Sequence, residues 1–355
     1  MAFVGFQMKR VRTHVVGGDM DADTNLFLGT GQGVFRASAH NQKDETENRA
    51  LNDCGVVRGI ITDPDCAERV WVATERNGVW RTEDGGKSWS EKNVGLVYKH
   101  TLCLALHPVT GELYVGTEPA CIFKSDDRGE TWMELDSLRR LRSRIDWTFP
   151  NAPYVAHVRG IGLNPADPDV IFGAVEEGWL IRSTDGGDTW VNLTNGTEFD
   201  SHTVTFLPGD SGVVISASGK GLYRSVDNGI NFQRCDMGIQ HPYLVNVVVH
   251  ADRPNVLYTA GAGKVPPKWR EPGGPGAGFY RSDDAGQSWK LLTGGLPNRI
   301  EAPPRSIAID GANSNRIYVG MNNGDIWMSD DGGEEFVRCS SGLPPVLSIS
   351  PTNND

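Results

Sequence analysis

Two sets of side chains in this 355-residue chain have the types and spacing to do chemistry, and both keep a fixed distance from one recurring pattern. Glu75, Glu118 and Glu176 each precede a Ser/Thr-x-Asp-x-Gly-x-x-Trp/Phe sequence by the same interval, where Thr30, Ser218 and Asn322 stand in other copies. Further upstream of the pattern lie Arg58, His100, His157 with Arg159, His202 and Arg305, and His241 stands shortly before the corresponding stretch of another copy. Arginines bind a carboxylate or similar anion through paired hydrogen bonds. Imidazoles exchange protons near neutral pH, and a glutamate can act as acid or orient the base. Three carboxylates around one opening would raise at least one pKa unless a cation intervenes. That condition is a starting point for acid–base chemistry or for binding a metal.

The elements that would hold these groups follow from the repeat. Its six copies are Thr82–Trp89, Ser125–Trp132, Ser183–Trp190, Ser225–Phe232, Ser282–Trp289 and Ser329–Phe336. The basic period is about 42, lengthened twice by inserts, which suits blades of four short strands. Within the pattern the aspartate can accept backbone N–H bonds across a turn and the glycine supplies a positive φ. The six aspartates, Asp84, Asp127, Asp185, Asp227, Asp284 and Asp331, are therefore read as turn-holding groups and not as ligands. Each copy follows two apolar runs alternating with period two, such as His100–Pro108 with Leu113–Thr117 and His157–Pro165 with Val170–Val175. A seventh set, Asn25–Thr30 and Gly33–Arg36, precedes the first copy, with its own pattern degenerated at Ala37–Asp44. The expectation is an all-β chain, one seven-bladed β-propeller over residues 1–355. Either Met1–Gln7 or Val346–Ser350 could close the ring.

The pattern resembles the Asp-box, or BNR, repeat of sialidases, xyloglucanases, sortilin-type receptors and a photosystem assembly factor. That resemblance covers nearly the whole chain and implies the propeller fold, while those relatives share no common chemistry. The chain departs from sialidases: it has no Arg-Ile-Pro motif near the start, seven blades and not six, and no recognisable Tyr–Glu nucleophile pair. Xyloglucanases of this type are longer, two-propeller proteins, so that activity is disfavoured as well.

In a propeller, the start of each innermost strand and the end of the second meet at one mouth of the central channel. The repeat therefore brings Arg58, Glu75, His100, Glu118, His157, Arg159, Glu176, His202, His241 and Arg305 to one face. Two inserts add to it. In 133–156, Leu135, Leu138, Leu141 and Ile145 follow helical spacing and predict a short basic helix over Asp136–Asp146. The Pro/Gly-rich 264–278 is expected to form an irregular lid carrying Trp269, and long loops of this kind are commonly functional.

The first functional reading is a hydrolase or lyase for a small anionic molecule. Arg58, Arg159, Arg305 and Trp269 would bind it, with His100, His157, Glu75, Glu118 and Glu176 as catalytic groups. The second is a divalent metal, Fe, Zn or Mn, on His100, His157, His202 and His241. Carotenoid-cleaving oxygenases are similar in placing four histidines on a seven-bladed axis, a likeness of geometry without a shared motif. The third is a non-enzymatic module binding a peptide or protein loop. His107 and His250, at the opposite strand ends, read as turn residues.

A net charge of −11 argues against a general nucleic-acid surface, and no apolar run is long enough to span a membrane. Six scattered cysteines without metal-ligand spacing, and a start unlike a secretory signal, lead to an expectation of buried free thiols in a cytoplasmic protein. Nothing in the pattern addresses the oligomeric state.

Overall fold

Val, Ile, Leu, Phe and Tyr alternate with small or polar residues through most of the chain, which favours half-buried strands over helices. A computed structural model describes residues 25–38 and 49–352. It arranges them as seven four-stranded antiparallel sheets in a ring, with helix confined to a few 3-10 turns. The innermost strands are Val346–Thr352, Val57–Asp63, His100–Leu106, His157–Leu163, Ser201–Leu207, Tyr243–Val249 and Pro304–Ile309, taken here as blades 1 to 7.

The ring closes through the C-terminal strand. Val346–Thr352 pairs antiparallel with Asn25–Thr30, so the first blade is built from both ends of the described chain. Of the two expected closures the C-terminal one is observed, while Met1–Gln7 and most of the degenerate seventh pattern lie outside the described residues.

All six patterned turns join the third to the fourth strand of a blade. In the first, Thr82 Oγ1 donates to Asp84 Oδ1 at 2.8 Å, Gly86 N–H donates to Thr82 Oγ1 at 2.9 Å, and Ser88 N–H donates to Asp84 Oδ1 at 2.9 Å. Equivalent bonds recur around Asp127, Asp185, Asp227, Asp284 and Asp331. These bonds stabilise the ionised form, with the Ser88 and Thr131 side chains contributing most for Asp84 and Asp127, whose carboxyls are pulled down to about 2. Two successive residues take positive φ in each turn, for example Gly85 at 67° and Gly86 at 87°. The closing aromatics are mostly buried, and two donate to a neighbouring blade: Trp132 Nε1 to Lys92 O at 2.8 Å and Trp289 Nε1 to Cys235 O at 2.9 Å.

The core lies between adjacent blades as a series of apolar clusters. One joins Trp71 and Val79 to Val115 and Phe123, and another joins Tyr114 and Ile122 to Val158 and Ile171. His107 and His250 cap turns: the Nδ1 of each accepts backbone N–H bonds from the residues two and three positions on. Among the described residues no two cysteines are joined by a disulfide; five of the six are buried and Cys66 is partly exposed. Among the described residues no helix is long and apolar enough to cross a membrane.

Segment 133–156 departs from the expected helix. It forms two 3-10 turns, Asp136–Arg140 and Arg142–Asp146, separated at Leu141, which is extended at ψ 118°. The physical reason is anchoring: Leu135 and Leu138 sink into the cluster between blades 3 and 4, and Ser137 Oγ bonds Gly187 O. Leu141 is only partly buried and Ile145 is 88% exposed, so one apolar face does not run the length of the segment. In 264–278 a single 3-10 turn, Pro266–Lys268, interrupts otherwise irregular chain.

Candidate functional site

The inner strands share one irregularity that organises the mouth. Each has a β-bulge near its start in its pairing with the second strand, where one or two residues are left without a partner, and those of blades 2 and 5 have a second register shift at the far end. The unpaired residues are Leu347, Arg58, Leu102, Arg159, His202, Val245 with Asn246, and Arg305, one set from each blade. A bulge bends the strand and re-aims the side chain it carries. All of these residues line a single cavity of about 820 Å³ on the ring axis. Further along the same strands, Ile60, Leu104, Ile307 and Ile349 give it an apolar wall. Sequence reasoning placed the arginines and His202 here but missed the bulges; the signal was the slip in alternation at each strand start.

Three guanidinium groups approach this mouth in different states. Arg58 pairs with Glu75 at 2.5 Å, and Arg159 Nη1 pairs with Glu176 Oε2 at 2.6 Å. Arg305 makes no ion pair among the described residues, and its guanidinium lies 5.3 Å from the Trp269 ring centroid. Burial, reinforced by repulsion from Arg58 and Arg159, lowers the Arg305 pKa from 12.5 to about 10. Trp269 is fixed in turn by an Nε1–H bond to Lys264 O at 2.7 Å and by an edge-on contact with Tyr243 at 5.6 Å.

Blades 3 and 4 contribute a continuous polar chain. His100 Nδ1 lies 3.1 Å from Glu118 Oε1, while the other oxygen of Glu118 lies 3.4 Å from His157 Nδ1. His157 Nε2 is 3.0 Å from Glu176 Oε2, the oxygen that also receives Arg159. His157 is 7% exposed; burial opposes its charge, but Glu118 and Glu176 outweigh that and raise its pKa. Hydrogen bonding from His157, against the cost of burial, holds Glu118 below the usual carboxylate range. Burial also opposes the charge on Glu176, yet Arg159 and His157 overcome that and hold it well below the usual range. The expected mutual elevation of carboxylate pKa values therefore does not arise at these two, because cations stand between them.

The cavity wall also carries polar atoms without a protein hydrogen-bond partner: His100 Nε2, Thr203 Oγ1, Asn246 Oδ1 and Ser348 Oγ. Phe149, Ala152 and Pro153 from one insert and Pro266 from the other line the same cavity. No residue of the six patterned turns reaches it.

The four histidines weighed as metal ligands are not brought together. His241 is absent from the cavity wall, and its Nδ1 is hydrogen-bonded to Tyr280 Oη at 2.5 Å beneath the blade 6 insert. His202 is fully buried, with Nδ1 2.6 Å from Leu244 O and Nε2 3.0 Å from Asp200 Oδ1. Asp200, just before the blade 5 inner strand, is a polar group that sequence reasoning missed, since it falls outside the two aligned positions.

No family model and no curated protein matches this chain. Among solved structures, a GH74 enzyme from Niastella koreensis is similar over 90% of the chain at 21% identity, with a TM-score of 0.65. A GH74 xyloglucanase from Xanthomonas campestris is similar over 91% at 19% identity and a TM-score of 0.68. The match spans 47% and 53% of those two proteins, about half their length. YCF48 from Cyanidioschyzon merolae is similar over 81% of this chain and 86% of its own, at 15% identity and a TM-score of 0.53. At these identities the likeness is one of fold.

Proposed function

We propose that the chain is an enzyme, a hydrolase or lyase, that binds a small anionic molecule in the axial cavity. The observation that carries this reading is Arg305: a partly buried cation, without a carboxylate partner, facing the cavity beside two other arginines. Holding three guanidinium groups together costs energy unless an anion completes the set. Arg58 and Arg159 are held by Glu75 and Glu176, so Arg305 is the anchor and its neighbours flank the bound group. Trp269 packs over the Arg305 plane and limits its water, which strengthens the charge interaction below.

On this reading His100 is the proton-transfer group. Its ring lines the cavity, and Glu118 at Nδ1 orients it. His157 is a positioning residue: with a raised pKa it bridges Glu118 and Glu176 and keeps both ionised. Glu118 and Glu176 are unsuited to act as general acids, having lost their protons far below neutral pH. The hydrolases among the structural neighbours are compatible with this class of reaction but do not choose the substrate.

A non-enzymatic binding module is the second reading, favoured by the fact that Glu75, Glu118 and Glu176 are all engaged by cations or imidazoles. One experiment separates the two. Small carboxylates, phosphate esters and neutral oligosaccharides would be screened for thermal stabilisation, and the stabilising compounds then followed for turnover by mass spectrometry. Stabilisation and turnover of anions, both lost in Arg305→Met, support the enzyme. Binding without turnover supports the module, and stabilisation by neutral sugars alone defeats the anion site.

A further inference from the structure

Beneath the charged rim the cavity changes character. Leu347 and Ile349 of blade 1, Ile60 of blade 2, Leu102 and Leu104 of blade 3 and Ile307 of blade 7 present aliphatic side chains to it. Across the axis the inner strands of blades 5 and 6 present Thr203 and Asn246 instead. The inner strands of blades 7, 1, 2 and 3 pack one against the next, so the aliphatic groups form a single sector of the wall. Leu102, Leu104 and Leu347 are each partly exposed. Apolar surface of this kind, left wet inside a cavity, is stabilised by a ligand that covers it.

Arg305 stands at one edge of the sector. It occupies the bulge of the blade 7 inner strand, and Ile307 follows two residues on, about 7 Å further along the strand. Ser306 Oγ donates to Val346 O at 3.3 Å, which ties the start of the blade 1 inner strand, and with it Leu347, to the strand that carries Arg305. His100 stands at the other edge, at the head of the strand that carries Leu102 and Leu104. We propose that the ligand of this cavity is an amphipathic monocarboxylate, with its carboxylate on Arg305 and an aliphatic or aromatic body laid on the apolar sector toward His100. This class builds on the anion site proposed above and narrows it.

The charge count selects one carboxylate. Arg58 and Arg159 are already paired with Glu75 and Glu176, so a single uncompensated guanidinium remains, and its planar fork matches a carboxylate. Phosphate or sulfate would engage the rim and leave the sector wet. A polyhydroxylated sugar would set hydroxyl groups against aliphatic side chains and forfeit their hydrogen bonds to water. The volume of about 820 Å³ is in the range of sites for small organic ligands. Both inserts continue the apolar character at the cavity wall, one with Phe149 and Pro153 and the other with Pro266.

Isothermal titration calorimetry of the full chain with straight-chain carboxylates from acetate to octanoate tests the proposal, with 1-octanol and inorganic phosphate as controls. Affinity should rise about fourfold for each added methylene until the sector is covered. Measured at several temperatures, the heat-capacity change should grow more negative along the series. Arg305→Met should weaken every carboxylate by a similar factor, about 10- to 100-fold, and keep the dependence on length. Leu102→Gln should flatten that dependence without weakening acetate. Leu347→Gln makes the same measurement from a second blade, and neither leucine belongs to the apolar clusters between blades. Carboxylates and phosphate that bind alike whatever their length, and are all lost in Arg305→Met, overturn the amphipathic class and leave the anion site standing. Octanol that binds as tightly as octanoate, with neither affected by Arg305→Met, overturns the anion site together with the class, as does a series in which no member binds.

Discussion

Replacing Arg305 with methionine should make the free protein more stable and its anion binding weaker. The drop in the Arg305 pKa from 12.5 to about 10 corresponds to about 3 kcal/mol against the charged form, at about 1.36 kcal/mol per pH unit. Water in the open cavity screens part of this, so about half is expected in practice. Methionine keeps the packing against Trp269 but gives up the cation–π contact, worth about 0.5 to 1 kcal/mol. The balance is a gain of about 1 kcal/mol, a rise of about 1 to 2 °C in melting temperature for a chain of this size. A bound anion loses charge-assisted bonds worth about 1.5 to 3 kcal/mol, or about 10- to 100-fold in affinity. Differential scanning calorimetry with and without sulfate, phosphate and citrate reads both effects. A variant that is less stable by about 1 kcal/mol or more, yet melts with the same anion dependence as the parent, would show that Arg305 is a packing residue and refute the reasoning.

Further outcomes follow from the same geometry. His157→Gln should cost about 3 kcal/mol at pH 6, because it breaks a buried bridge between two carboxylates. Since the folded-state pKa of His157 is raised, its contribution is complete below about 6.5 and is lost as pH rises through the folded value, so the cost should shrink in alkaline denaturation curves. Asp127 has the opposite sign: its pKa is depressed to about 2, so its contribution holds above about 3.9 and fades as pH falls toward 2. Urea midpoints of the parent should decline across that window, and Asp127→Asn should flatten the decline. In the first insert, Leu138→Ala should cost about 2 to 4 kcal/mol and Ile145→Ser less than about 0.5, measured by urea unfolding, since one side chain is buried and the other is not.

The fold was largely legible because its information is local and repeated. Asp84 and its counterparts hold each turn through bonds within a few residues, so a single copy carries the whole signal. The gathering of Arg58, Arg159 and Arg305 could be read from their common distance to those turns. Side-chain pairing could not, because it depends on which blade a group leans toward. His202 and His241 both read from the sequence as candidate ligands, yet one reaches Asp200 and the other Tyr280. Asp200 escaped because the link before blade 5 has its own length, and the helical spacing of Leu135 to Ile145 misled because burial ends at Leu141.

The closure of blade 1 sets a schedule for folding. Asn25 finds its partner Thr352 across a sequence separation of 327, while every other blade pairs strands that are near neighbours in the chain. Six blades can therefore form as they leave the ribosome, whereas Asn25–Thr30 waits with one edge unsatisfied until Val346–Thr352 has been made. Contacts so distant are slow to form, and an open strand edge invites pairing with other chains. Deleting Val346–Thr352 should consequently do more damage than the loss of one seven-residue strand suggests: it removes the latch that turns a string of sheets into a ring, and leaves the waiting edge of Asn25–Thr30 to recruit a second molecule.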